Sequence, residues 1–104
     1  MQDRRTRTEY DSLGPVTVPA DALWGAQTQR AIDNFQLSPY RFSRTFLRAL
    51  GMVKTAAAHA NQECDVLDAA VAKAVAAAAS RVAEGEVDDA FPVDVFQTGS
   101  GTST

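Results

Sequence analysis

Sulfur and imidazole are scarce in this chain, whose 104 residues include one cysteine, Cys64, and one histidine, His59. A lone cysteine closes no internal disulfide, and a lone histidine anchors no multi-histidine metal site, so a disulfide scaffold and a histidine-built metal centre are both excluded. A reducing, cytoplasmic setting is the expectation. Positive charge is not in excess either. Ten basic against thirteen acidic side chains leave a net charge of −3, which gives no footprint for nucleic acid or an anionic membrane. Arg4, Arg5 and Arg7 cluster, but no apolar stretch follows them, so neither a secretory nor a twin-arginine signal is supported. Long apolar runs are missing too. Nothing reaches the roughly 18 residues of a membrane span, and the alanine-rich stretch is broken by Lys73, Ser80 and Arg81. The expectation is a soluble chain forming one domain with a modest core.

What the chain does have is helical pattern and punctuation. Residues 1–9 are polar and without period and read as a loose arm. Asp11-Ser12-Leu13-Gly14 reads as a turn, and Pro15-Val16-Thr17-Val18-Pro19 alternates apolar and polar between two prolines, as a short edge strand or extended segment does. Asp21 can cap a helix over about 22–34, in which Gln27, Thr28, Gln29 and Arg30 form a dense polar stretch, readable as a solvated face.

Ser43 is the expected N-cap of a longer helix. Phe46, Leu50, Val53, Ala57, Ala60 and Cys64 follow at alternating spacings of four and three, which predicts a packed seam with Cys64 as a small buried hydrophobe. His59 lies off that seam, and nothing beside it in sequence would orient it as a base, so a structural or surface role is expected. Asp68 caps a third helix that stops at Gly85, with Val71, Val75, Ala78 and Val82 as its seam and many alanines that let a neighbouring helix approach closely. Two such seams facing each other would leave flanks open, so further protein is expected to pack against them. Asp88 and Asp89 in the acidic connector that follows read as a solvated turn and cap.

The chemistry-bearing stretch comes last. Residues 91–97 read as an extended run leading into Thr98-Gly99-Ser100-Gly101-Thr102-Ser103-Thr104. Two glycines one residue apart allow successive N–H groups to point into one concavity, and the hydroxyls add donors around its rim, an arrangement that can hold an anion. If Ser103 or Thr104 capped a following helix, its N-terminus would favour a carboxylate or phosphate there. The same composition also suits a flexible end, and no Lys follows the second glycine as in a Walker A loop.

Asp11-Ser12-Leu13-Gly14, Val18-Pro19-Ala20-Asp21, Leu23-Trp24-Gly25-Ala26-Gln27-Thr28-Gln29-Arg30-Ala31, Asp88-Asp89-Ala90-Phe91-Pro92 and Gln97-Thr98-Gly99-Ser100-Gly101-Thr102 occur in an order and spacing that resembles the N-terminal region of class II fumarate hydratase. The likeness runs from about residue 9 to residue 104. Aspartate ammonia-lyase of the same superfamily shares the layout, but the tryptophan, the GAQTQR block, Thr98 and Ser100 look more like the fumarase pattern.

The resemblance implies a mainly α fold, with short N-terminal extended segments followed by about three helices, as the N-terminal domain (residues 1–104) of a fumarase/aspartase-type helical-bundle enzyme. The central helical bundle and C-terminal domain would lie outside it. It implies a homotetramer that reversibly hydrates the dicarboxylate fumarate to (S)-malate without metal or organic cofactor, and no nucleic-acid or membrane partner. Ser100, Gly101 and Thr102 match the family's substrate-carboxylate loop, and Arg30 would lie near the site or an interface. The family's catalytic His, the Ser of its mobile loop, and the Lys and Asn that grip substrate lie beyond residue 104, so no catalytic residue is expected here and His59 matches none. These 104 residues by themselves are then expected to be inactive. A different class of reading is a truncated, non-catalytic helical module that binds through its exposed seams.

Overall fold

A computed structural model describes residues 5–100 and 102–104. They fall into two compact units, Met1–Arg41 with Asp89–Thr104, and Phe42–Asp88. The mainly helical character expected from the sequence is observed, with a short two-stranded sheet ahead of three α-helices.

In the first unit, β1 (Thr6–Asp11) pairs antiparallel with β2 (Gly14–Pro19), from Thr6 opposite Pro19 to Asp11 opposite Gly14. The turn expected at Asp11 is present, with its carboxylate accepting from the Leu13 N–H at 2.9 Å and Gly14 at φ +108°, a value glycine adopts without strain. Part of the expected loose arm is therefore strand. Its alternation was hidden because the half-buried positions, Arg7, Glu9 and Asp11, are charged. Such residues turn inward here because each finds partners. Arg7 donates to Glu9 at 2.7 Å and to the carbonyls of Pro19, Ala20, Ala22 and Trp24 at 2.7–3.0 Å.

Those carbonyls also account for the second departure. The helix expected over 22–34 begins four residues later, as α1 (Ala26–Asn34), with Gly25 at the N-cap and no side-chain cap from Asp21. A helix through 22–25 would draw the Ala22 and Trp24 carbonyls into its own ladder, whereas Arg7 already binds them. The small core of this unit is Val18, Ala26, Ala31 and Val93, all buried.

The second unit is a helical hairpin of α2 (Arg44–Glu63) and α3 (Ala69–Glu84). Caps fall where the sequence places them. Ser43 accepts from the Phe46 N–H at 3.2 Å, Asp68 accepts from Ala70 at 3.1 Å, and Gly85 closes α3 at φ +86°. At the end of α2 the left-handed residue is Asp65, φ +58°, with Val66 N–H bonded back to the Asn61 carbonyl at 3.0 Å. Arg44, in the first turn of α2, donates to the Val82 and Ala83 carbonyls at the end of α3 and pairs with Asp88. The acidic connector is thus a turn anchored at Asp88.

The seams sit one residue away from their expected positions. Leu47, Gly51 and Ala58 are buried on α2, and Ala72 and Ala79 on α3, while Phe46, Val53, Val71 and Val75 remain exposed. Small residues decide the contact because they let the two backbones come close. A Cβ on Gly51 would lie 2.7 Å from the Ala79 carbonyl oxygen and 2.7 Å from the Ala83 nitrogen. Cys64, expected to be buried, is the exposed C-cap of α2.

Candidate functional site

The hydroxyl-bearing loop lies in the first unit, and its approach is built around one carboxylate. Residues 91–97 form no strand. Instead Asp94, only 1% exposed, gathers donors from two directions. Its side chain accepts from the Leu37 N–H at 2.9 Å, the Ser38 N–H, the Ser38 hydroxyl at 2.8 Å and the Phe96 N–H at 2.9 Å. The Val95 N–H, next in the chain, donates to the Tyr40 carbonyl at 3.2 Å. Segment 94–96 is thereby tied to the loop that follows α1. Burial disfavours the charge of Asp94, but the hydrogen bonds from Phe96, Ser38 and Leu37 outweigh it and hold the carboxyl below its ordinary pKa.

Beyond this anchor the hydroxyls form a file. Thr98 Oγ1 and Ser100 Oγ are 3.0 Å apart, and Ser100 Oγ and Thr102 Oγ1 are 3.1 Å apart. Ser100 and Thr102, two of the three expected substrate contacts, are therefore neighbours and exposed; Gly101, the third, lies outside the described residues. Thr104, considered above as a helix cap, donates its hydroxyl to Gln97 Oε1 at 2.9 Å, and Gln97 Nε2 donates to the Asp94 carbonyl at 3.3 Å. Two of the three hydroxyl protons are shared within the file and one is left to donate outward, and rotation of a hydroxyl can turn a second proton toward a carboxylate.

Arg30 has a structural part within this unit. Its guanidinium grips Asp11 through Nε at 2.8 Å and Nη2 at 3.0 Å and reaches the Gly14 carbonyl at 3.0 Å, fastening α1 to the β1–β2 turn. In the same polar stretch Gln29 accepts from the Trp24 indole N–H at 2.9 Å, so the stretch is only partly a solvated face. His59 is exposed on α2. An open groove of about 560 Å³ is lined by Ile32, Phe35, Leu37, Ser38, Arg41 and Pro92 among others, and not by Ser100 or Thr102. Among the described residues no three His, Cys, Asp or Glu side chains are grouped as metal ligands, and no helix is long and apolar enough to cross a membrane.

Asp94 and Gln97 were missed as organising residues in the sequence. The signal for Asp94 was present, as a single charge set between Val93 and Val95 and two residues before an N–H it could accept from.

Comparison with known proteins agrees with the motif blocks. A family model described as "Lyase" matches residues 14–104. Class II fumarate hydratase of Halobacterium salinarum is 63% identical over 98 residues, covering 94% of this chain and 21% of that protein. The crystal structure of fumarate lyase:delta crystallin from Brucella melitensis superposes with a TM-score of 0.90 at 44% identity, over 95% of this chain and 22% of that one. Recombinant class II fumarase from Schistosoma mansoni gives a TM-score of 0.90 at 34% identity, over 95% and 21% respectively. The chain spans about a fifth of the length of the curated relatives it matches. With a family match from residue 14 to residue 104 and motif blocks in the family's order, the chain belongs to the lyase family, resembling the N-terminal region of its class II fumarate hydratases.

Proposed function

We propose that this chain serves a class II fumarate hydratase, which reversibly adds water to fumarate to give (S)-malate. The observation that carries the reading is the 63% identity over 98 residues to the hydratase of Halobacterium salinarum. Within such an enzyme the 104 residues form the N-terminal domain, and a central helical bundle and a C-terminal domain supply the proton-transfer groups. The assembly is a cytoplasmic homotetramer working in the tricarboxylic acid cycle. Its partners are small dicarboxylates, with no nucleic acid, membrane or cofactor involved.

In this reaction a base removes a proton next to a carboxylate, and negative charge builds up on that carboxylate in the transition state. Ser100 and Thr102 are its hydroxyl donors, and Gly101 lets the backbone approach. The file of oxygens from Thr98 to Thr102, at 3.0 and 3.1 Å, supports the assignment because it gathers the hydroxyls in one place, where exchanging a mutual hydrogen bond for one to the carboxylate lets both donate.

Thr102→Val in the complete enzyme removes one donor and nearly conserves shape. The expected loss is on the order of 3 kcal/mol of transition-state stabilisation, about a hundredfold in kcat/KM for fumarate. An unchanged kcat/KM would remove Thr102 from the site. Addition of ammonia in place of water by the wild-type enzyme would make it an ammonia-lyase instead.

A further inference from the structure

We infer that Asp94 and Gln97 are positioning residues that hold the hydroxyls of Thr98, Ser100 and Thr102 in one arrangement for a substrate carboxylate. This rests on the reading just given and adds to it the device that keeps the donor loop ordered before substrate arrives.

Two linked ties make the device. The first is at the base. The Asp94 carboxylate takes Leu37 N–H, Ser38 N–H, the Ser38 hydroxyl and Phe96 N–H, so the backbone leaving Asp94 is fixed against the loop after α1. Four donors on one carboxylate fill its acceptor sites, and it has no room to bind anything else. Arg41, in the same loop, donates through Nη1 to the Ser38 and Tyr40 carbonyls at 3.1 and 2.8 Å and so stiffens the surface to which Asp94 is tied. The second tie closes the loop. Gln97 donates backward to the Asp94 carbonyl and accepts forward from Thr104, so one amide spans both ends of the excursion that carries Ser100 and Thr102.

Among the described residues the hydroxyls of Thr98, Ser100 and Thr102 are exposed and contact one another. Within this chain the restraint beyond their mutual contacts comes from the two ties at the ends of the loop. If the binding-competent arrangement is only a fraction of the population, apparent affinity falls by that fraction while the chemistry of bound substrate is untouched. Loss of a tie therefore raises KM and leaves kcat in place, whereas loss of a donor, as in Thr102→Val, lowers transition-state stabilisation itself.

The test uses the complete enzyme that carries this sequence, with Gln97→Met and Asp94→Asn as variants. Gln97→Met keeps the length of the side chain and removes both of its hydrogen bonds. Asp94→Asn keeps one acceptor oxygen and sets an amide N–H₂ where donors now point. Each should raise KM for fumarate about tenfold with kcat within about twofold, and should speed amide hydrogen exchange across residues 98–104 while α1 and the hairpin keep their protection. The Gln97→Met melting temperature should stay close to wild type. Unchanged exchange in residues 98–104 would overturn the tether whatever the activity, and so would faster exchange with an unchanged KM. Failure of the wild-type enzyme to hydrate fumarate would instead bring down the functional reading on which the tether rests, and it would show before any substitution was made.

Discussion

At the scale of single residues, this chain is held by charged side chains that each make several hydrogen bonds. Arg7, Arg44 and Asp94 each bind several backbone groups, and Arg30 joins the Asp11 carboxylate to the Gly14 carbonyl, roles that composition does not reveal because a charged residue in a polar stretch ordinarily faces water. Asp11 illustrates the consequence for pH. The hydrogen bonds from Arg30 lower its pKa and prevail over burial, so the carboxylate is more acidic folded than unfolded. A depressed folded value means that the stabilisation is complete above the ordinary carboxylate range and is lost as pH falls through the lower, folded value. Asp94 is shifted in the same direction. Chemical denaturation midpoints measured from about pH 6 to about pH 3 should therefore drop on the acid side. Asp11→Asn should be less stable at neutral pH and should flatten that drop by up to about one proton of linkage. A variant with the full wild-type acid slope would show that the Arg30 pair does not tune Asp11.

At the scale of elements, the hairpin of α2 and α3 shows why a heptad-like pattern found the helices and misplaced their contact. Bulky residues at alternating spacings of four and three were the obvious seam, yet the helices meet one position over, through Gly51, Ala72 and Ala79. Close approach of two backbones gains dispersion contacts along the interface that a layer of valines would hold apart. Gly51 is the tightest point. Helix propensity alone would make Gly51→Ala favourable by about 1 kcal/mol. The neighbours at 2.7 Å are backbone atoms of α3, which cannot swing aside, so steric cost decides the sign. Gly51→Val should lower unfolding free energy by about 1–3 kcal/mol in urea titrations, while Ala57→Val on the exposed face should change it by less than about 0.5 kcal/mol. Equal stability of the two variants would mean that the helices separate freely at Gly51.

At the scale of the whole molecule, the two compact units leave much apolar surface in water. Leu13 is 77% exposed, Tyr10 73% and Val53 62%, and Met52, Val71 and Val75 add to the uncovered side of the hairpin. Exposed apolar groups on this scale mark a surface that associates. A 104-residue polypeptide prepared by itself should show concentration-dependent association in sedimentation and no turnover of fumarate. A dilution-insensitive monomer, or hydratase activity from a verified 104-residue chain, would contradict that expectation.

The sequence by itself determined the three helices, the caps at Ser43, Asp68 and Gly85, the turn at Asp11 and the family, since each depends on residue type at short spacing or on motif order. Tertiary structure decided the rest. Charged residues became the inward face of β1 because partners distant in sequence satisfied them, Arg7 held carbonyls that α1 would otherwise have taken, and small residues outcompeted large ones for the helix contact. Around the candidate site, the loop of Ser100 and Thr102 could be read from its hydroxyls and glycines. Its anchor could not, because the donors to Asp94 come from Leu37 and Ser38, more than fifty residues earlier in the chain, and only folding brings that backbone within hydrogen-bonding distance of a carboxylate buried between two valines.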